Sequence, residues 1–274
     1  MKRKELAKKL GITILAFLLA LPCAAPMAGR MDVRAAGIPA GEQGAEGTAA
    51  DEPDQAAESQ SEGLQLKMKT YKKDYKTKEG RIYKTVSFEY PVAQGDSDAA
   101  KAFNKFYKSL LTKWKKAAQE NLKDAQEDTA QLEDTERYYS DEVRCEITAD
   151  DGKYISILQL GYDYSMGAHG MPYRYTYIFN AQTGKKVSAA DLLGLSKKQL
   201  NEKVRGLFLN KFDKSYGTDE HPFYANRADV KATLEKMDFN KNLYYLKNGK
   251  VRFYADPYVV GPYAAGFIEV AVKL

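Results

Sequence analysis

Two cysteines, two histidines and one tryptophan are all that this chain of 274 residues holds of those types. Such scarcity excludes a zinc ribbon, a disulfide scaffold, an iron–sulfur centre and any multi-histidine metal site built from this chain alone. Neither His169 nor His221 lies in a Gly-x-Ser-x-Gly setting, so the usual serine-hydrolase elbow is missing. The two histidines stand 52 positions apart, and Asp150-Asp151 falls in a turn, so the close Asp/His set of a metal-dependent deacetylase is missing too. Nothing singles out a carboxylate pair for glycoside cleavage. What remains is 44% hydrophobic, 12% aromatic and carries a net charge of +5. That is a globular composition with room for one large domain or two small ones. No metal and no cofactor is implied.

The first 36 residues read as an export signal. Lys2, Arg3, Lys4, Lys8 and Lys9 precede an apolar run from Leu10 to Leu21. The run is too short for a comfortable membrane span, and Val33-Arg34-Ala35 offers small residues at a cleavage site. Two alternatives stay open: lipidation at Cys23, or retention of the run as an uncleaved membrane tether. Either puts the rest outside the cytoplasm. Residues 37–66 read as an acidic flexible linker, because Gly37 to Gly63 holds no Lys or Arg and seven acids, with Ile38 its only large apolar side chain. The folded remainder keeps 35 basic against 28 acidic residues. Outside a cell its natural anionic partners are wall polymers and lipid head groups rather than nucleic acid.

Two α+β subdomains are expected beyond the linker, 67–165 and 166–274, in a mainly antiparallel sheet architecture with packed helices. Arg81 to Tyr90 alternates like a strand with Lys84 as the exception, and Pro91 and Gly95 end it. Asp96, Ser97 or Asp98 caps a long helix with a stripe of Ala99, Phe103, Phe106, Tyr107, Leu110, Trp114, Ala118 and Leu122. Val143, Cys145 and Ile147 line one face of a strand whose other face is polar. Asp151-Gly152 turns into a strand over Tyr154–Tyr164. Cys145 reads as a buried, inert thiol. Ser196 with Gln199 forms a capping box, Asn226 to Met237 a shorter helix, and Asn248-Gly249 a tight hairpin.

Six residues are candidates for ligand contact. Gly167, His169 and Gly170 sit in a loop between two strands, where glycine permits a sharp turn or close approach. The imidazole of His169 either contacts a ligand or holds the turn through a neighbouring strand. Tyr173 opens a tyrosine-rich strand. Tyr258 and Tyr263, both beside prolines, sit in a second loop and offer faces for stacking. His221, before Pro222, is expected at the surface.

These motifs carry a resemblance. Gly167-Ala-His-Gly170, then Phe179-Asn-Ala-Gln-Thr-Gly-Lys185, then Ser188 to Leu193, followed by Leu246-Lys-Asn-Gly-Lys-Val-Arg-Phe-Tyr254, Pro257-Tyr258 and Gly261-Pro-Tyr263-Ala-Ala-Gly266, are similar to the extracellular domain shared by RsiV-type anti-sigma factors and PdaC-type peptidoglycan deacetylases, the DUF3298 family. The part from Thr70 to Tyr164 resembles the PdaC-type DUF4163 partner domain. The resemblance implies a Gram-positive-type envelope protein that binds rather than reacts. In RsiV the domain binds lysozyme; in PdaC it accompanies a separate catalytic domain. A cytoplasmic sigma-binding segment and a deacetylase domain are both expected to be lacking here. The expectation is therefore a secreted, non-catalytic module for a wall glycan or a wall-directed protein such as lysozyme. A hydrolase of wall sugars and a scaffold with a protein partner only are the alternatives. The sequence leaves the oligomeric state open.

Overall fold

The computed structural model describes residues 63–132 and 137–274. The expected export signal, the possible lipidation at Cys23 and nearly all of the linker lie outside the described residues. Within them, no helix is long and apolar enough to cross a membrane.

Five strands form the first sheet in chain order: β1 (Leu66–Lys76), β2 (Ile82–Ala93), β3 (Tyr139–Asp150), β4 (Tyr154–Tyr164) and β5 (Met171–Asn180). All neighbours are antiparallel except β2 and β3, which run parallel from Lys84↔Tyr139 to Phe88↔Val143. A parallel neighbour needs a crossover, and helices α1 (Asp98–Ala117) and α2 (Leu122–Ala130) supply it. The second sheet is an antiparallel meander of β6 (Tyr244–Lys247), β7 (Lys250–Ala255) and β8 (Ile268–Lys273). Between the sheets in sequence lie α3 (Ala189–Leu193), α4 (Lys197–Ser215) and α5 (Arg227–Lys236). The α+β, mainly antiparallel class expected from the sequence is what the chain adopts.

Local signals explain most boundaries. Ser97 accepts a bond from the Ala100 amide and caps α1. Ser196 and Gln199 form the full capping box of α4, and Asn226 caps α5. Asn248 and Gly249 take φ values of 53° and 65°, the left-handed pair a two-residue hairpin demands.

Four details depart from the expectations. Strand β1 has no clean alternation and five lysines, the dress of an edge strand that must not pair further, and the sequence reading passes over it. Pro91 does not end β2; it lies inside the strand, opposite Met68 of β1 and beyond the stretch paired with β3. The helix stops at Ala117 rather than running through Leu122, and the Asn121 amide oxygen accepts a 2.6 Å bond from Lys84 Nζ instead of capping α2. A register shift between Ile147 and Ala149 turns Thr148 inward and leaves Ile147 exposed, so the apolar face read for this strand ends at Cys145.

Lys84 explains its own break in the pattern. It points inward with 1% exposure and pairs with Asp141 on β3 at 2.7 Å. Burial holds Asp141 above the usual carboxylate range, and Lys84 pulls it back down.

The layers run helix, sheet, sheet, helix. Phe103, Tyr107 and Trp114 of α1 pack on Phe88, Ile155, Ile157 and Phe179 of the first sheet. Leu200, Val204, Phe208 and Leu234 of α4 and α5 cover Leu246, Val251 and Phe253 of the second. The expected boundary at 165/166 falls in the connection between β4 and β5, and the sheet runs through it, since β5 pairs along β4 from Asn180 to Met171.

Where the two sheets face each other, polar groups specify the fit. Arg174 of β5 forms an ion pair with Glu269 of β8, and its guanidinium lies 4.0 Å from the Phe267 ring centroid. Glu269 also accepts from Tyr245 Oη at 3.0 Å and faces Arg252 at 3.6 Å. Thr176 and Tyr254 both donate to the Asn242 carbonyl at 2.8 Å, and the Leu246 amide donates to Ser156 Oγ at 2.9 Å. Replacing Glu269 by Ala strands Arg174 without its carboxylate and is expected to cost about 3 kcal/mol in urea unfolding. The paired change Arg174→Leu with Glu269→Leu should recover most of that loss; an equal or larger deficit in the double variant would rule out a burial penalty as the cause.

Candidate functional site

The loop after β4 and the loop after β7 are ninety residues apart in sequence and meet in space. Met166 and Gly167 take φ values of 64° and 98°, which reverse the chain and deliver His169. Gly170 serves a different need: a Cβ there would come within 2.4 Å of the Tyr162 ring. Its amide donates to Tyr162 Oη at 2.8 Å. Gly261 lets the second loop approach Pro222, whose carbonyl oxygen a Cβ would meet at 2.1 Å.

The His169 and Tyr263 rings stack with centroids 4.1 Å apart. Tyr263 Oη donates to the Gly170 carbonyl at 3.2 Å. His169 Nδ1 lies 2.9 Å from the same carbonyl, which assigns its proton to Nδ1. Nε2 is then the acceptor facing Tyr258 Oη at 3.5 Å. The Tyr258 ring lies 5.6 Å from that of Tyr263. Burial, then Tyr162 and Tyr258, raise the Tyr263 hydroxyl above the ordinary tyrosine value. Tyr224, whose backbone N–H donates a hydrogen bond to the Val260 carbonyl of this loop, has its hydroxyl raised by burial and then by Tyr258.

Tyr258 itself is the strained member. Its φ is 66°, a region that bulky L-residues seldom enter, and its side chain is 46% exposed. No core burial rewards that conformation.

Five of the six residues singled out from the sequence, Gly167, His169, Gly170, Tyr258 and Tyr263, are brought to this junction. Tyr173 is not. It faces α1, with its ring filling the space a Cβ on Gly161 would need and lying 5.1 Å from Tyr175. Burial pushes its hydroxyl far up. Sequence reasoning missed Tyr162 and Tyr224. Tyr162 and Leu160 both stand on the side of β4 that alternation assigns to the second sheet, yet each is 39% exposed. Two apolar side chains repeating at spacing two on an uncovered stretch of strand were the available signal.

Cys145 and His221, two groups with reactive potential, both lie outside this junction. Cys145 is a poor nucleophile, its thiol pushed up to about 12 by burial while Gln159 donates to its sulfur. His221 is not the surface residue expected: it sits half-buried among Phe212, Tyr216 and Phe223, with Nδ1 2.9 Å from Ser215 Oγ. That hydroxyl is also bonded to the Lys211 and Phe212 carbonyls at the end of α4, which ties it into the helix terminus. Among the described residues no three His, Cys, Asp or Glu side chains converge as a metal ion needs. A cavity of about 350 Å³ is lined by Phe212, Tyr216 and Arg227 and by none of His169, Tyr258 and Tyr263.

At the root of the second loop, Asp256 is held up at about 6 by burial, with Arg174 pulling it down. Its Oδ1 has no hydrogen-bond partner. The native state therefore binds the proton more tightly than the unfolded chain, whose value is 3.8. Stability is full below the unfolded value and falls as pH rises through about 6, by roughly 3 kcal/mol. Asp256→Asn is expected to flatten this slope. Urea midpoints at pH 4 and pH 7.5 test it, and parallel pH profiles for the two proteins would exclude Asp256 as the source.

Comparison with known proteins places these elements. Residues 77–172 match the family described as deacetylase PdaC, and residues 190–274 match the family described as protein of unknown function DUF3298. No curated protein matches. Two crystal structures of DUF3298 family proteins share the fold. One is from Pseudomonas aeruginosa PAO1, with 15% identity, a TM-score of 0.52, and coverage of 78% of this chain and 92% of the other. The second is from Bacteroides fragilis NCTC 9343, with 16% identity, a TM-score of 0.53, and coverage of 77% and 91%.

Proposed function

For a chain that joins a PdaC-family region to a DUF3298-family region, we propose the role of an extracytoplasmic, non-catalytic binding module whose contact surface is the junction of His169, Tyr258 and Tyr263. The carrying observation is Tyr258: an exposed aromatic kept at positive φ. Strain of this kind costs on the order of 1–3 kcal/mol and persists where the surroundings over-determine it, often at sites of recognition. Tyrosine offers a broad apolar face with a polar tip at small loss of side-chain freedom, the chemistry of a protein-recognising surface. The rings fill the junction by packing on each other, which favours a wall-directed protein such as lysozyme over a sugar chain held in a cleft. Wall glycan stacked on Tyr162 and Tyr258 is the second reading, supported by the exposure of both rings. Secretion or tethering at the envelope accords with the basic–apolar N-terminus and with the resemblance read from the sequence.

Tyr258→Gly separates binding from stability. Glycine accepts the positive φ freely, so the variant should melt no lower than the parent. Titrated against lysozyme by calorimetry, it should bind at least about tenfold more weakly, because a central aromatic anchor is worth roughly 1.4 kcal/mol or more. Tyr216→Ala, at an exposed aromatic outside the junction, should leave the affinity unchanged. Silence of the parent protein toward both lysozyme and peptidoglycan fragments would refute the reading.

A further inference from the structure

Helix α1 carries its charge in an unusual way. Its 20 residues include six lysines and a single carboxylate, Asp98. Lys101, Lys105, Lys108 and Lys115 follow steps of four, three and seven, which on a 3.6-residue helix place them within one narrow stripe, with Lys116 at its border. The stripe lies opposite the face formed by Phe103, Tyr107 and Trp114, which is buried against the first sheet. From Lys101 to Lys116 it extends about 22 Å, with axial steps of about 6 Å from Lys101 to Lys105, about 4.5 Å on to Lys108 and about 10.5 Å on to Lys115.

Several lysines elsewhere on the described helices are matched by acids. Lys198 faces Glu202, Lys231 faces Glu235, and Lys197 pairs with Asp238 at 2.8 Å. On α1 only Lys101 has an ion pair, a loose 3.9 Å contact with Asp98 at the first turn. Like charges at i,i+3 and i,i+4 are unfavourable by a few tenths of a kcal/mol each, so the run from Lys101 to Lys108 carries a stability cost that only the loose Asp98 contact offsets. A purely solubilising surface mixes signs, as α4 and α5 do.

The basic surface continues past the helix. Lys115 Nζ lies 3.9 Å from the Tyr71 ring centroid on β1, and Lys73 lies 4.5 Å from that of Tyr75. On the other flank, Lys186 is held below its ordinary value by burial and then by Lys113. None of the exposed large apolar side chains belongs to α1 or β1. A helix that docks on a bilayer by insertion needs such residues, whereas a polymer of regularly spaced charges does not.

We propose that the lysine stripe of α1 is a docking ridge for a linear phosphate polyanion. The ridge runs along α1 and reaches the β1 edge through Lys115 and Tyr71. It binds by releasing counterions from a chain of phosphates, so affinity falls steeply with salt. It recognises charge spacing rather than any particular monomer.

Inorganic polyphosphate of several tens of units is the probe, titrated by calorimetry against the full chain at several salt concentrations. The parent protein should bind with a log–log salt slope of about −3 to −4, the value for roughly five neutralised phosphates on a single strand. The variant Lys101→Gln, Lys105→Gln, Lys108→Gln, Lys116→Gln should lose at least about tenfold in affinity, with a slope shallower than about −1.5. It should also melt no lower than the parent, because repulsion has been removed. A charge-matched control, Lys198→Gln, Lys203→Gln, Lys214→Gln, Lys231→Gln, should change affinity by less than about twofold. Tyr258→Gly should bind polyphosphate as the parent does, which separates this ridge from the aromatic junction. Equal losses in the two quadruple variants would reduce the effect to net charge and overturn the proposal. So would no binding of polyphosphate by the parent, or binding only to vesicles rich in phosphatidylglycerol.

Discussion

The fit between the two sheets rests on Arg174. Its guanidinium projects from β5 into the space between the layers, pairs with Glu269 and lies over Phe267. A buried ion pair adds little net stability over an apolar substitute, but it is costly to mismatch. Sliding the second sheet by one residue would part Arg174 from Glu269, leaving the carboxylate only Tyr245 and Arg252 of its own sheet. The neighbouring bonds from Thr176 and Tyr254 to one carbonyl, and from Leu246 to Ser156, impose the same register. The interface is thus specified by polar partners, while its free energy comes from the surrounding apolar burial.

That constraint carries through to the site. Glu269 and Arg252 hold β7 and β8 in place, and the loop that joins those strands contains Tyr258 and Tyr263. The strand that bears Arg174 begins directly after Gly170. Fixing β5 against β8 therefore brings the His169 loop and the Tyr263 ring into stacking distance. Asp256, raised by the same buried surroundings, lies at the hinge between the sheet and the strained tyrosine. A side chain whose charge is disfavoured next to a residue whose backbone is disfavoured marks this loop as the place where the fold gives up stability.

The opposite side of the molecule shows a different economy. There α1 gives up favourable charge pairing along its whole outer face, while its inner face is among the best packed in the protein, with Phe103 and Ala100 fully buried. The helix tolerates repulsion because tertiary packing, not side-chain pairing at its surface, holds it.

Local rules that act within a few residues were readable in the sequence: a cap at Asp96, Ser97 or Asp98, the capping box of Ser196 and Gln199, the Asn248-Gly249 hairpin, the apolar stripe of α1 and the strand over Tyr154–Tyr164. Each depends only on neighbours along the chain, so composition and spacing suffice. Long-range partners decided the rest. Lys84 broke a strand pattern because Asp141, 57 residues away on a parallel neighbour, receives it, and Asn121 does not cap α2 with its side chain because the same ammonium claims its oxygen. Thr148 and Ile147 exchanged sides through a bulge that no local signal announced. The residue types of the aromatic junction were visible in advance, but Tyr173, also a candidate for ligand contact, faces α1 instead and Tyr162 was overlooked, since which face of a strand meets helix, sheet or solvent is set only when the layers close on one another.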